Sequence, residues 1–141
     1  MATLKFLVSL ITQDNDYQME QAHCAQLAAA KLDVDVAIAY SNNDTITQST
    51  QILKAIQTNS TERPNAVILE PAGGTALPQV ARAAVAEGIG WAVLNRDASY
   101  LAELRQTGTV PVFGVSSDQI EVGRISGRQC AALLPHGGSI L

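Results

Sequence analysis

Short apolar runs of strand length alternate along this chain with longer segments in which apolar residues recur at helical spacing. The runs are Leu4–Ile11, Val34–Tyr40, Ala66–Leu69, Trp91–Leu94 and Val112–Val115. Between the first two, the spacing predicts a helix over about 17–32, with Cys24, Leu27, Ala28 and Leu32 on its inner face. Asp44 or Thr45 can cap a second helix whose buried face reads Ile46, Ser49, Leu53 and Ile56. A third has Thr75 as its cap, Pro78 in its first turn and Gly88 just beyond its end. Leu77, Val80, Ala81, Ala84 and Val85 form its apolar stripe. A short helical piece is expected within Tyr100–Gln106. A final helix, capped by Asp118 and stopped by Pro135, carries Ile120, Gly123, Gly127, Ala131 and Leu134 along one side. Its two glycines predict a backbone packed closely on a sheet. Strand and helix in alternation imply an α/β fold in three layers, a doubly wound, mainly parallel sheet covered on both faces.

Polar residues gather where four of these runs end. Asp14, Asn15, Asp16 and Tyr17 follow the first, Ser41–Asp44 the second, Asn95, Arg96 and Asp97 the fourth, and Ser116, Ser117 and Asp118 the fifth. Open α/β sheets bind ligands outside the carboxyl ends of their strands, so this distribution points to a small polar ligand at one sheet edge.

Composition narrows the classes. At 141 residues and 47% hydrophobic the chain builds one core, and a net charge of −4 without a Lys/Arg cluster argues against a nucleic-acid surface. No apolar stretch reaches the length of a membrane-spanning helix, so membrane contact is not expected. The start enters a strand directly, without a basic region or a cleavage site. A leader upstream would place the protein in the periplasm; otherwise the cytoplasm is expected. Cys24 and Cys130 read as two small buried hydrophobes, and neither they nor His23 and His136 have metal-ligand spacing. No metal and no cofactor is expected.

Each polar cluster has a structural reading beside the functional one. Asp14–Tyr17 can bind a polyol through carboxylate and amide acceptors and a stacking phenol, or can simply cap a helix. Arg96 at a strand end can grip paired hydroxyls or a carboxylate; the alternative is a surface ion pair with Asp97 or Asp14. Pro71–Thr75 matches neither phosphate-loop pattern and reads as a tight turn, while Ser116–Asp118 reads first as a cap. A phosphoacceptor receiver domain shares the strand–helix rhythm, but here the third strand ends in Glu70-Pro71 and the fifth in Ser116-Ser117, where that family needs an aspartate and a lysine. No nucleophile has a base at readable spacing, so no catalytic residue is assigned and the chain is not expected to be an enzyme.

DNDYQ after the first strand, AVILEPAGG, GIGWAVLNRD and VSSDQIEVGRISGRQ together resemble the type I periplasmic binding proteins, which include the ribose- and galactose-binding proteins and the lactose-repressor core domain. The resemblance implies a flavodoxin-like strand order 2-1-3-4-5 and a single lobe of a two-lobe protein that closes on its ligand about a hinge. On this view residues 1–136 are the amino-terminal lobe and 137–141 open the crossover into a second lobe. By resemblance the ligand-binding residues are Asn15, Tyr17, Asn95 and Arg96, with Asp14, Gln18 and Asp118 as secondary candidates. Gln18 stands where a second aromatic is common in the sugar binders, and Asn95 where an aspartate is common.

The expected partner is a small molecule of carbohydrate type, held between this lobe and its missing second lobe. The receptor would serve an ABC-type transporter. The alternatives are a sensor or repressor ligand domain of a larger regulator, and an assembly module without ligand that forms a homo-oligomer through an open sheet edge or Gly137–Leu141.

Overall fold

A computed structural model describes residues 3–73 and 77–139. Five strands form one sheet: β1 (Lys5–Leu10), β2 (Asp35–Tyr40), β3 (Ala66–Leu69), β4 (Gly90–Leu94) and β5 (Val112–Val115). Every pairing is parallel and the order is β2-β1-β3-β4-β5, the doubly wound arrangement expected from the alternation. The register sets Val8 beside Ile68, Ile68 beside Ala92 and Ala92 beside Phe113 in one row across the sheet. Because β-strand side chains alternate, this row faces one side while Leu7, Val67, Trp91 and Val112 face the other.

The larger core lies on the second side. There α2 (Thr45–Ile56), α3 (Pro78–Ala86) and α4 (Tyr100–Arg105) close over Val67, Leu69, Trp91 and Val93, supplying Ile52, Ile56, Val80, Ala84, Leu101 and Leu104. Trp91 is its largest buried side chain, and its indole N–H donates to Tyr100 Oη at 3.3 Å. The α3 stripe is the one its sequence predicted, with Pro78 at the first turn and Gly88 at φ +75 beyond the end. Its proposed cap Thr75 lies outside the described residues, as do Gly74 and, at the end of the 137–141 crossover segment, Ile140 and Leu141.

The opposite side is covered by α1 (Asp16–Leu32) over Val8 and Leu10. Here the structure corrects the expected face. Cys24, Leu27, Ala28 and Leu32 point to solvent, and Gln18, Ala22 and Ala29 are buried, with Ala25 packed beside them. α1 is rich in alanine, so hydrophobicity alone ranks its faces weakly. Its rotation follows the Gln18 amide, which is tied to the ends of β1 and β3. The same happens in α2: Ile46 is exposed and Ser49 and Leu53 are only half-buried, whereas Gln48 is fully buried with Ile52 and Ile56. Gln48 Nε2 donates to Ser9 Oγ at 3.1 Å and to the Glu70 carbonyl at 2.9 Å, and its Oε1 accepts from Ala72 N–H at 2.9 Å.

The last helix, α5 (Gln119–Leu133), begins at an Asp118 cap whose carboxylate accepts from Ile120 and Glu121 N–H. It buries no residue, and Ile120 and Leu133 are 69% and 80% exposed. The close packing expected at Gly123 and Gly127 is absent, since a Cβ at either would meet open space. No part of the described lobe lies against this helix to accept its apolar side. Cys130 is half-buried and Cys24 exposed, both as free thiols, so neither is the buried hydrophobe expected.

Candidate ligand-binding site

The chain reversals that follow β1, β3 and β4 bring their polar residues to one edge because three parallel neighbours end at the same level. Asn15 caps α1: its Oδ1 accepts from Gln18 N–H at 2.9 Å, and Asp14 beside it accepts from the Thr12 hydroxyl at 3.0 Å. The first turn of α1 then carries Tyr17 outward, 56% exposed, and Gln18 inward, 3% exposed. At the end of β4, Asn95 adopts φ +59, a left-handed conformation that asparagine tolerates better than most residues. Its N–H is held by the Val115 carbonyl at 2.8 Å.

These elements are joined by side-chain hydrogen bonds. Asn95 Nδ2 donates to Tyr17 Oη at 2.5 Å and to Glu70 Oε2 at 3.2 Å. Gln18 Nε2 donates to the same Glu70 oxygen at 2.5 Å, and Gln18 Oε1 accepts from Ile11 N–H at 2.9 Å. Gln21 Nε2 gives Tyr17 Oη a second donor at 3.2 Å. The phenol is thus fixed at its oxygen while its ring stays open to solvent, a surface suited to the C–H face of a polyol.

Arg96 follows Asn95, is exposed, and enters none of the ion pairs found among the described residues, including those considered with Asp97 and Asp14. It lines a cleft of about 520 Å³ together with Ser99, Ser116, Ser117 and Asp118. Tyr17 and Asn95 are therefore in direct contact, and Arg96 and Asp118 share the neighbouring cleft. Asn15 and Asp118 each use their side-chain oxygens as helix caps. Gln18 lies beneath the rim.

Glu70 and Gln48 escaped sequence analysis. Glu70 is a carboxylate at a strand terminus flanked by amide-bearing termini, and in the sequence its one distinguishing mark is that it stands where a phosphoacceptor needs an aspartate. Gln48 sits in a polar helical stretch and gave none. Among the described residues no group of three His, Cys, Asp or Glu side chains could hold a metal ion, and no helix is long and apolar enough to cross a membrane.

The structure is thus a doubly wound parallel α/β lobe with hydrogen-bonded polar side chains gathered at the carboxyl edge of its sheet. The chain belongs to the periplasmic binding protein domain family, whose model matches residues 6–141. The family comprises binding proteins rather than enzymes. No curated protein matches the sequence. Similar solved structures include a periplasmic solute-binding protein of an ABC transporter from Actinobacillus succinogenes 130z with bound D-allose. It is 16% identical at a TM-score of 0.77, over 94% of this chain and 45% of that one. The Caulobacter myo-inositol binding protein, bound to myo-inositol, is 21% identical at 0.76, over 95% and 42%. The fructose-binding periplasmic domain of a hybrid two-component system is 16% identical at 0.76, over 96% and 41%. The chain spans less than half the length of each of these proteins.

Proposed function

We propose that this chain carries one lobe of a periplasmic receptor for a neutral sugar or polyol, which closes on its ligand with a second lobe. The observation that carries the reading is the bond between Tyr17 Oη and Asn95 Nδ2, which unites the α1 and β4 termini into one rim beside Arg96, a cation with no ion-pair partner among the described residues. In this rim the Tyr17 ring stacks on the ligand and the Asn95 amide and Arg96 guanidinium bond its hydroxyls. Asn15, Asp14 and Asp118 border the site, and Gln18 supports it from below. The similar structures bound to D-allose and myo-inositol support the ligand class.

The detachment of α5 supports a boundary at Ser116–Asp118, with α5 as the first element of the second lobe, instead of a crossover at Gly137. A joint there places the closing motion in three residues next to Arg96. The same lobe would serve a transporter or a sensor, and the likeness to a two-component periplasmic domain supports the sensor as the second reading.

If the complete receptor binds near micromolar, about −8 kcal/mol, a lobe with half the contacts binds near millimolar. Titration of the ¹⁵N-labelled chain with millimolar myo-inositol or D-allose is expected to shift the resonances of Tyr17, Asn95 and Arg96. Shifts confined to another surface, or none at 50 mM (about fifty times that Kd), would overturn the reading.

A further inference from the structure

We propose that Glu70 is a positioning residue that orients the Asn95 amide, so that this point of the rim accepts a hydrogen bond from a ligand hydroxyl. The inference rests on the ligand site proposed above. Glu70 is 8% exposed, and its place is set by its own backbone: its N–H donates to the Ser9 carbonyl at 3.0 Å and its carbonyl accepts from Gln48 Nε2. One oxygen of its carboxylate receives two amide groups, Gln18 Nε2 from α1 and Asn95 Nδ2 from the end of β4.

A carboxylate only accepts hydrogen bonds, so it dictates which end of each amide faces it. Asn95 must turn its NH₂ inward, and the second proton of that NH₂ goes to Tyr17 Oη. Its Oδ1, at the opposite end of the planar amide, accepts nothing among the described residues. Tyr17 Oη already accepts from two amides, from Asn95 and Gln21, which directs its own hydroxyl proton elsewhere. The rim therefore presents one acceptor at Asn95 and one donor at Tyr17, a pair that fits a ligand hydroxyl acting in both senses. A ligand carboxylate placed on Asn95 Oδ1 would meet an acceptor with Glu70 close behind, so this one point of the rim favours a hydroxyl.

The test uses the full chain. In the wild type the Asn95 and Gln18 side-chain amide protons are expected to exchange slowly with solvent and to resonate away from free-amide positions. Glu70→Gln, which removes the charge and keeps the shape, is expected to move both sets and to weaken myo-inositol binding about tenfold, the factor that accompanies loss of one oriented hydrogen bond. Asn95→Asp sets two carboxylates together and lowers the urea midpoint. The double variant Asn95→Asp/Glu70→Gln restores an amide–carboxylate pair and is expected to recover that midpoint. Freely exchanging Asn95 amide protons in the wild type would overturn the proposal even if Glu70→Gln failed to fold, and so would a double variant no more stable than Asn95→Asp. Protected amides that respond to Glu70→Gln in a chain that binds no polyol would uphold the Glu70–Asn95 coupling and overturn the ligand reading instead.

Discussion

Asn95 Nδ2 and Tyr17 Oη stand 2.5 Å apart across 78 residues of sequence, and this bond joins the start of α1 to the end of β4. Tyr17→Phe keeps the ring and removes the oxygen that both Asn95 and Gln21 use. Since the phenol is largely exposed, the expected loss is about 0.5–1 kcal/mol in urea unfolding followed by Trp91 fluorescence. A variant as stable as the wild type would show that water replaces the bond without cost.

Arg96 has no ion-pair partner among the described residues and little packing. Arg96→Ala is expected to leave stability within about 0.5 kcal/mol while abolishing the polyol-induced shifts at Tyr17 and Asn95. Thermal unfolding and the ligand titration separate the two effects; a large stability loss would mean Arg96 serves the fold.

Trp91 is the chain's single tryptophan and is 1% exposed at the centre of the larger core. Trp91→Ala leaves a cavity between α3, α4 and the sheet, and is expected to cost about 3–5 kcal/mol. Circular dichroism of the variant in urea measures this. A cost below about 1 kcal/mol would mean the core collapses around the void.

Asp44 accepts from the Thr47 hydroxyl and from Thr47 and Ile46 N–H, and these bonds hold its carboxyl below the ordinary aspartate range. A group whose folded pKa is lowered stabilises the fold above its unfolded value, near pH 4, and loses that contribution as the pH falls through the lower folded value. Asn at position 44 keeps a capping oxygen but does not titrate. The difference in urea midpoint between wild type and Asp44→Asn is therefore expected to be constant above about pH 4 and to shrink below it. A difference unchanged down to pH 2 would contradict the role given to Asp44.

The sheet and the order of elements were legible because each strand is a bounded apolar run and α3 carries a full stripe between a proline and a glycine. The faces of α1 and α2 were not. Each is oriented by a buried glutamine whose partners are distant backbone and carboxylate groups, and hydrophobic spacing cannot see a polar residue anchoring the inside of a helix. In the site, the rim residues were visible as strand-end polar clusters, whereas Glu70 gains its meaning only when the end of β3 is set between α1 and the end of β4. The glycines of α5 predicted contact from a pattern that says nothing about which body supplies it.

That free helix has a consequence for how the chain behaves in solution. Ile120, Val122, Ile125 and Leu133 on α5, with Phe113 and Val115 on β5, leave greasy surface in the native state although the Trp91 core is closed. A fluorescent naphthalene-sulfonate dye should therefore light up on the fully folded lobe, a response ordinarily taken to mean loosened tertiary packing. Here it would coexist with one sharp, cooperative melting transition.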